Sequence, residues 1–112
     1  MSFRYSLNKV AFNLILENKK LVEGRLFKNS FKKIKVNDTI CFFNNQLKKE
    51  IIIKVTYLNN YLSFKKMLES ESINRVTPLA KNLDDALDIY KKFYTKKDEE
   101  RFGVLAIGIN LI

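Results

Sequence analysis

The chain has 112 residues, 46% of them hydrophobic, with nine Phe and five Tyr, enough for one core and too few for two. It carries a formal net charge of +9, no histidine and a single cysteine, which excludes an internal disulfide framework, the usual zinc sites, His-based triads and Cys–His dyads. No apolar run approaches a membrane span and the opening MSFRYSLNKV has no signal-peptide core, so we expect one basic domain over residues 1–112 in a reducing compartment, cytoplasm or nucleus, with no membrane and no cofactor.

Phe3 to Leu7 reads as a short strand, and Asn8 is placed to cap a helix starting at Lys9. From Lys9 to Glu17, Val10, Ala11, Leu14 and Ile15 recur at helical spacing, with Phe12 and Leu16 widening the stripe. Asn18 should end this helix, because Asn tolerates the left-handed conformation second only to Gly. Leu21 to Phe27 is a strand with Val22, Gly24 and Leu26 on one face and Glu23 and Arg25 on the other. A basic connector comes next, Lys28 to Lys35, whose Phe31 and Ile34 are expected to plug one end of the fold.

Val36-Asn37-Asp38 is a turn, Thr39 to Phe43 a strand holding Cys41 as a buried small hydrophobe, and Asn44-Asn45 another turn. Glu50 to Tyr61 is a long β-branched strand. Ser63 caps a short helix carrying Phe64, Met67 and Leu68, and the chain around Pro78 is irregular. Asn82 caps an amphipathic helix with Leu83, Ala86, Leu87, Tyr90, Phe93 and Tyr94 on one side. Thr95 with Asp98 spells a capping box, Gly103 ends that turn, and Val104 to Ile112 is a final apolar strand. Tyr57, Tyr61, Tyr90 and Tyr94 are expected in the core with their hydroxyls reaching water, and Glu69 and Glu71 read equally as a second carboxylate or as solvated residues at a helix end. With no repeats or linkers, this order suits an α+β fold, a small mixed β-barrel with flanking helices and one mouth between barrel and helices.

The segment Asn18-Lys19-Lys20-Leu21-Val22-Glu23-Gly24-Arg25 resembles the Gly-x-Lys-x-x-Glu-x-Arg pattern of ASCH domains, a PUA-like β-barrel family, with Asn18 in place of the glycine. The resemblance continues through Ile34–Ile40 (IKVNDTI), Tyr61–Leu68, Tyr90–Tyr94 and Phe102–Ile109, and so spans nearly the whole chain. It implies a barrel cleft lined by Lys20, Glu23 and Arg25 that handles RNA or a modified nucleoside. Spacing by itself favours a plain ion pair between Glu23 and Arg25 on a solvated strand; the resemblance turns the reading toward a functional cleft.

That resemblance implies three functions. The first is an RNA- or nucleotide-binding module. In it Lys20, Glu23 and Arg25 line the pocket; read from the residues themselves, the basic connector Lys28, Lys32, Lys33 and Lys35, with Arg25, Lys48 and Lys49, suits equally a positive rim for a phosphate backbone or a solvated loop in a lysine-rich chain. The second is a small metal-independent hydrolase, a ribonuclease or an acetylcytidine amidohydrolase, with Lys20 and Glu23 as catalytic groups. Here the chain has Glu23 where the amidohydrolases carry a Thr. The third is a protein-interaction adaptor in transcription regulation. Lysine supplies most of the positive charge and Asn and Ile are abundant, so the composition also fits A/T-rich coding drift in a microbe or a virus.

Overall fold

Alternating and β-branched segments assemble into one five-stranded sheet of order β1-β3-β4-β5-β2. The strands are β1 (Ser2–Ser6), β2 (Val22–Leu26), β3 (Thr39–Asn44), β4 (Lys49–Tyr61) and β5 (Val104–Leu111). The computed structural model describes residues 2–112. β1 lies parallel to β3; all other pairs are antiparallel. A register shift between Val55 and Tyr57 bends the long β4, so the sheet curls into a half-barrel. Strand pairing stops at β1 and β2, and the mixed barrel expected from the sequence stays open along that seam.

Among the described residues five α-helices flank the sheet: α1 (Lys9–Leu16), α2 (Phe64–Glu71), α3 (Ile73–Val76), α4 (Leu83–Lys91) and α5 (Lys96–Phe102). The caps of α1, α2, α4 and α5 are the ones the sequence spells. Asn8 accepts from the Ala11 N–H, Ser63 from Lys66 and Asn82 from Asp85, while Thr95 and Asp98 close a reciprocal capping box. The basic connector forms one short 3₁₀ turn, Asn29–Lys33. The sequence pattern does not reveal α3; four residues are too few to show a period.

The core has two halves, and β5 explains both. Leu105, Ile107 and Ile109 point into the barrel with Phe12, Ile15, Ile40, Phe42, Ile53 and Val55. Val104 and Ala106 point the other way, against Phe64, Met67, Leu68, Val76, Ala86 and Tyr90. A strand buried on both faces needs a continuous apolar run, which is how VLAIGI reads.

Four side chains depart from expectation. Val10 and Leu16 are exposed because α1 turns Phe12, Leu14 and Ile15 inward instead. Phe93 is exposed because α4 ends at Lys91 and the chain leaves the helix before reaching it. Cys41 is only half-buried. β3 alternates, with Ile40, Phe42 and Asn44 inside, so Cys41 faces outward beside Arg4 and Glu50. Among the described residues no helix is long and apolar enough to cross a membrane.

Candidate nucleotide cleft

The exit of α1 sets the position of Lys20. Asn18 adopts φ 60°, and the Lys19 and Lys20 N–H groups both donate to the Leu14 carbonyl, at 2.9 and 3.0 Å. This tight reversal delivers Lys20 to the start of β2. On β2, Glu23 lies across from Ile107 and Arg25 from Leu105, so both share the barrel-interior face of an edge strand. Glu23 is 5% exposed and Lys20 6%.

Charges so buried require partners, and each has them. Lys20 Nζ sits 3.4 Å from Glu23 Oε1 and donates to the Val76 carbonyl at 2.5 Å. Arg25 Nε donates to Glu23 Oε2 at 3.0 Å, and the Gly24 N–H donates to Glu23 Oε1 at 3.1 Å. The Arg25 guanidinium reaches across the open seam to donate to the Ser6 carbonyl at 2.9 Å, joining β2 to the end of β1. It lies over the rings of Tyr5 and Phe31, 5.8 and 5.4 Å from their centroids.

Burial raises the Glu23 carboxyl, but Lys20 and Arg25 together outweigh it and hold the group below its ordinary value. Burial pushes the Lys20 ammonium below the ordinary lysine value, against the pull of Glu23.

These groups form one side of a cleft of about 670 Å³, the size of small-molecule sites generally. Its walls come from α1 (Lys9, Val10, Leu14), the loop after α3 (Thr77, Pro78, Leu79) and the end of α4 with the residues after it (Tyr90, Lys92, Phe93, Tyr94). Three large apolar side chains at this cleft, Val10, Leu79 and Phe93, are more than half exposed. Burial, with Glu23 next in effect, holds the Tyr90 phenol well above its usual range, and burial raises Tyr94 as well.

The structure therefore brings Lys20, Glu23 and Arg25 together at one concave surface. It does not bring Lys28, Lys32, Lys33 or Lys35 to that surface: none lines the cleft. Lys32, Lys33 and Lys35 are exposed, Lys32 lying 5.8 Å from the Phe27 ring centroid, and half-buried Lys28 sits 5.1 Å from that of Phe102. Lys48 and Lys49 also lie outside it. Lys9, Lys92, Thr77 and Leu79 line the cleft and carry no sequence signal beyond composition. Glu71, which the sequence left open between a second carboxylate and a solvated helix end, is buried. It accepts from the Tyr57 hydroxyl at 2.6 Å, from Asn59 Nδ2 at 2.9 Å and from the Tyr61 hydroxyl, tying α2 to β4 away from the cleft. Among the described residues no group of three or more His, Cys, Asp or Glu gathers as a metal site.

A curled mixed half-barrel with a charged cleft at its open seam defines a PUA-like α+β protein. The ASCH domain family matches residues 6–112, and the chain belongs to it. The crystal structure of hypothetical protein PH0355 is 35% identical, with all of each chain covered and a TM-score of 0.92. The solution NMR structure of protein PF0455 from Pyrococcus furiosus is 31% identical over 100% of this chain and 98% of its own, with a TM-score of 0.81. The ASCH domain from Lactobacillus crispatus shares the fold at 15% identity, with a TM-score of 0.70 over 98% of this chain and 79% of that one. No curated protein matches the chain.

Proposed function

We propose that the cleft holds one nucleotide unit of RNA, with Lys20, Glu23 and Arg25 at its floor. ASCH domains are generally proposed to bind RNA. The observation that carries the reading is the convergence of these three buried charges on one hollow of nucleotide size. Apolar walls suit a base, and Lys9 and Lys92 supply positive charge for its phosphates. The connector lysines Lys28, Lys32, Lys33 and Lys35 add salt-dependent attraction for flanking backbone.

A hydrolytic role for Lys20 and Glu23 draws on one observation: burial moves Lys20 toward the neutral amine that could take a proton. Binding is the stronger reading. Glu23 already accepts from Gly24 and Arg25 and pairs with Lys20, which suits a group that holds cations in place better than a free base.

Fluorescence anisotropy with a labelled oligoribonucleotide at rising salt tests the proposal. Affinity should fall linearly on a log–log salt plot and drop about tenfold or more in a folded Arg25→Ala variant. No binding at low salt, or unchanged affinity in that variant, overturns it.

A further inference from the structure

The floor of the cleft contains one polar group that its network leaves over. Tyr90 is 7% exposed and lines the cleft. Its ring stacks on Phe64, with centroids 4.3 Å apart, which fixes where the hydroxyl points. A Cβ added to Gly24 would lie 2.9 Å from that hydroxyl, so the absence of a side chain at Gly24 is what lets Tyr90 reach the floor beside β2. Among the described residues the Tyr90 hydroxyl has no hydrogen-bond partner, while no fully buried side-chain nitrogen or oxygen lacks one. The hydroxyl therefore opens onto the cleft.

The surrounding groups decide what it can bind. Glu23, the acceptor of the floor, is engaged by Lys20, Gly24 and Arg25. Arg25 directs its Nε and one terminal nitrogen at Glu23 and Ser6, leaving N–H groups over, and Lys20 has a third ammonium proton beyond its two partners. Tyr90 stays protonated at neutral pH. The leftover groups on Lys20 and Arg25 are donors only, the Tyr90 hydroxyl can donate or accept, and the charge of Lys20, Glu23 and Arg25 sums to +1. Beside a net positive charge and spare N–H groups the Tyr90 hydroxyl is better satisfied donating, so an acceptor edge fits this floor better than an exocyclic amine.

We propose that Tyr90 is a specificity-determining residue, donating its hydroxyl proton to a base carbonyl, so that the cleft accepts carbonyl-bearing bases and discriminates against adenine. This rests on the nucleotide reading of the same cleft. The walls of Val10, Pro78, Leu79 and Phe93 take the flat body of the base, and Tyr90 with Arg25 reads its edge.

Inosine and adenosine 5′-monophosphates differ only on one base edge, a C6 carbonyl with N1–H in place of an exocyclic amine with an acceptor N1, and uridine 5′-monophosphate tests a pyrimidine. Calorimetric titration of the intact protein should give inosine and uridine monophosphates about tenfold tighter binding than adenosine monophosphate. Tyr90→Phe keeps the ring and its stack, so it should melt like the parent and shrink that preference below about threefold. Equal affinity for the inosine and adenosine compounds overturns the proposal without any variant. So does a preference retained in Tyr90→Phe, or failure of every mononucleotide to bind at millimolar concentration while the labelled oligoribonucleotide binds. Loss of oligoribonucleotide binding as well overturns the nucleotide reading itself.

Discussion

Replacing Glu23 with Gln preserves the shape of the side chain and removes its charge. The side chains of Lys20, Glu23 and Arg25 are 6%, 7% and 18% exposed, so the substitution leaves two cations in a poorly solvated place. Breaking a buried pair by removing one partner costs about 3–5 kcal/mol. A ceiling arises independently, because Lys20 can escape by losing its proton. Discharging a lysine from its ordinary value of 10.5 at about pH 7 costs ~5 kcal/mol, at ~1.4 kcal/mol per pH unit.

The two figures agree, and at ~4 °C per kcal/mol for a chain of this length the variant should melt about 12–20 °C lower. Lys20 sets the sign of the pH dependence. Its folded value lies below its unfolded value, and further below once Glu23 is neutral, so the unfolded chain holds the proton more tightly and stability rises with pH. The ceiling falls to ~2 kcal/mol near about pH 9, and the deficit against the parent should narrow accordingly. Thermal melts of both proteins by circular dichroism at the two pH values measure this. A drop under about 4 °C at neutral pH, or a deficit that does not change with pH, would refute the picture of a buried charge network.

Two further substitutions probe how the framework holds the cleft. Gly108→Ala places a Cβ 2.3 Å from the Tyr57 ring, forcing away a side chain that bonds Glu71; we expect a loss of about 1–3 kcal/mol in urea unfolding, and a loss below about 0.5 kcal/mol would show that the ring yields freely. Asn18→Ala puts a Cβ-bearing, non-amide residue at φ 60° and should cost about 1–2 kcal/mol, whereas Asn18→Gly should stay within about 0.5 kcal/mol of the parent; equal stability of the Ala and Gly variants would count against strain at this reversal.

Much of the framework was legible because it is local. Asn8, Ser63, Asn82 and Thr95 name helix starts through hydrogen bonds that span three residues, and Asn18 marks a left-handed stop. β-Branched and aromatic residues marked Thr39–Phe43 as a strand, but a nearly continuous apolar run does not show which face points inward, and Cys41 was placed inside when the structure alternates Ile40, Phe42 and Asn44 inward. Val10 and Leu16 misled for a related reason. A stripe wider than the contact available leaves its flanks exposed, and Val10 at the cleft wall is such a flank. Glu71 stayed open between two readings because its three partners sit ten to fourteen positions back on β4, a distance no local pattern records.

The candidate site divides along the same line. The motif around Lys20, Glu23 and Arg25 singled out three side chains, and the two-residue period of a strand put Glu23 and Arg25 on one face. Whether that face met water or the barrel interior depended on the pairing of β2 with β5, a contact between residues some eighty positions apart. The opposing wall of α4 and the loop after α3, with the unpartnered Tyr90 hydroxyl, depended on how distant helices pack.

By itself the chain determined its element order apart from α3, the caps of the other four helices and its trio of charged residues, because those arise from interactions within a few residues of backbone. Tertiary structure alone decided that the trio is buried, that a hollow lies beside it, and which donors remain free within it. Burial and concavity are properties of surfaces brought together from distant parts of the chain.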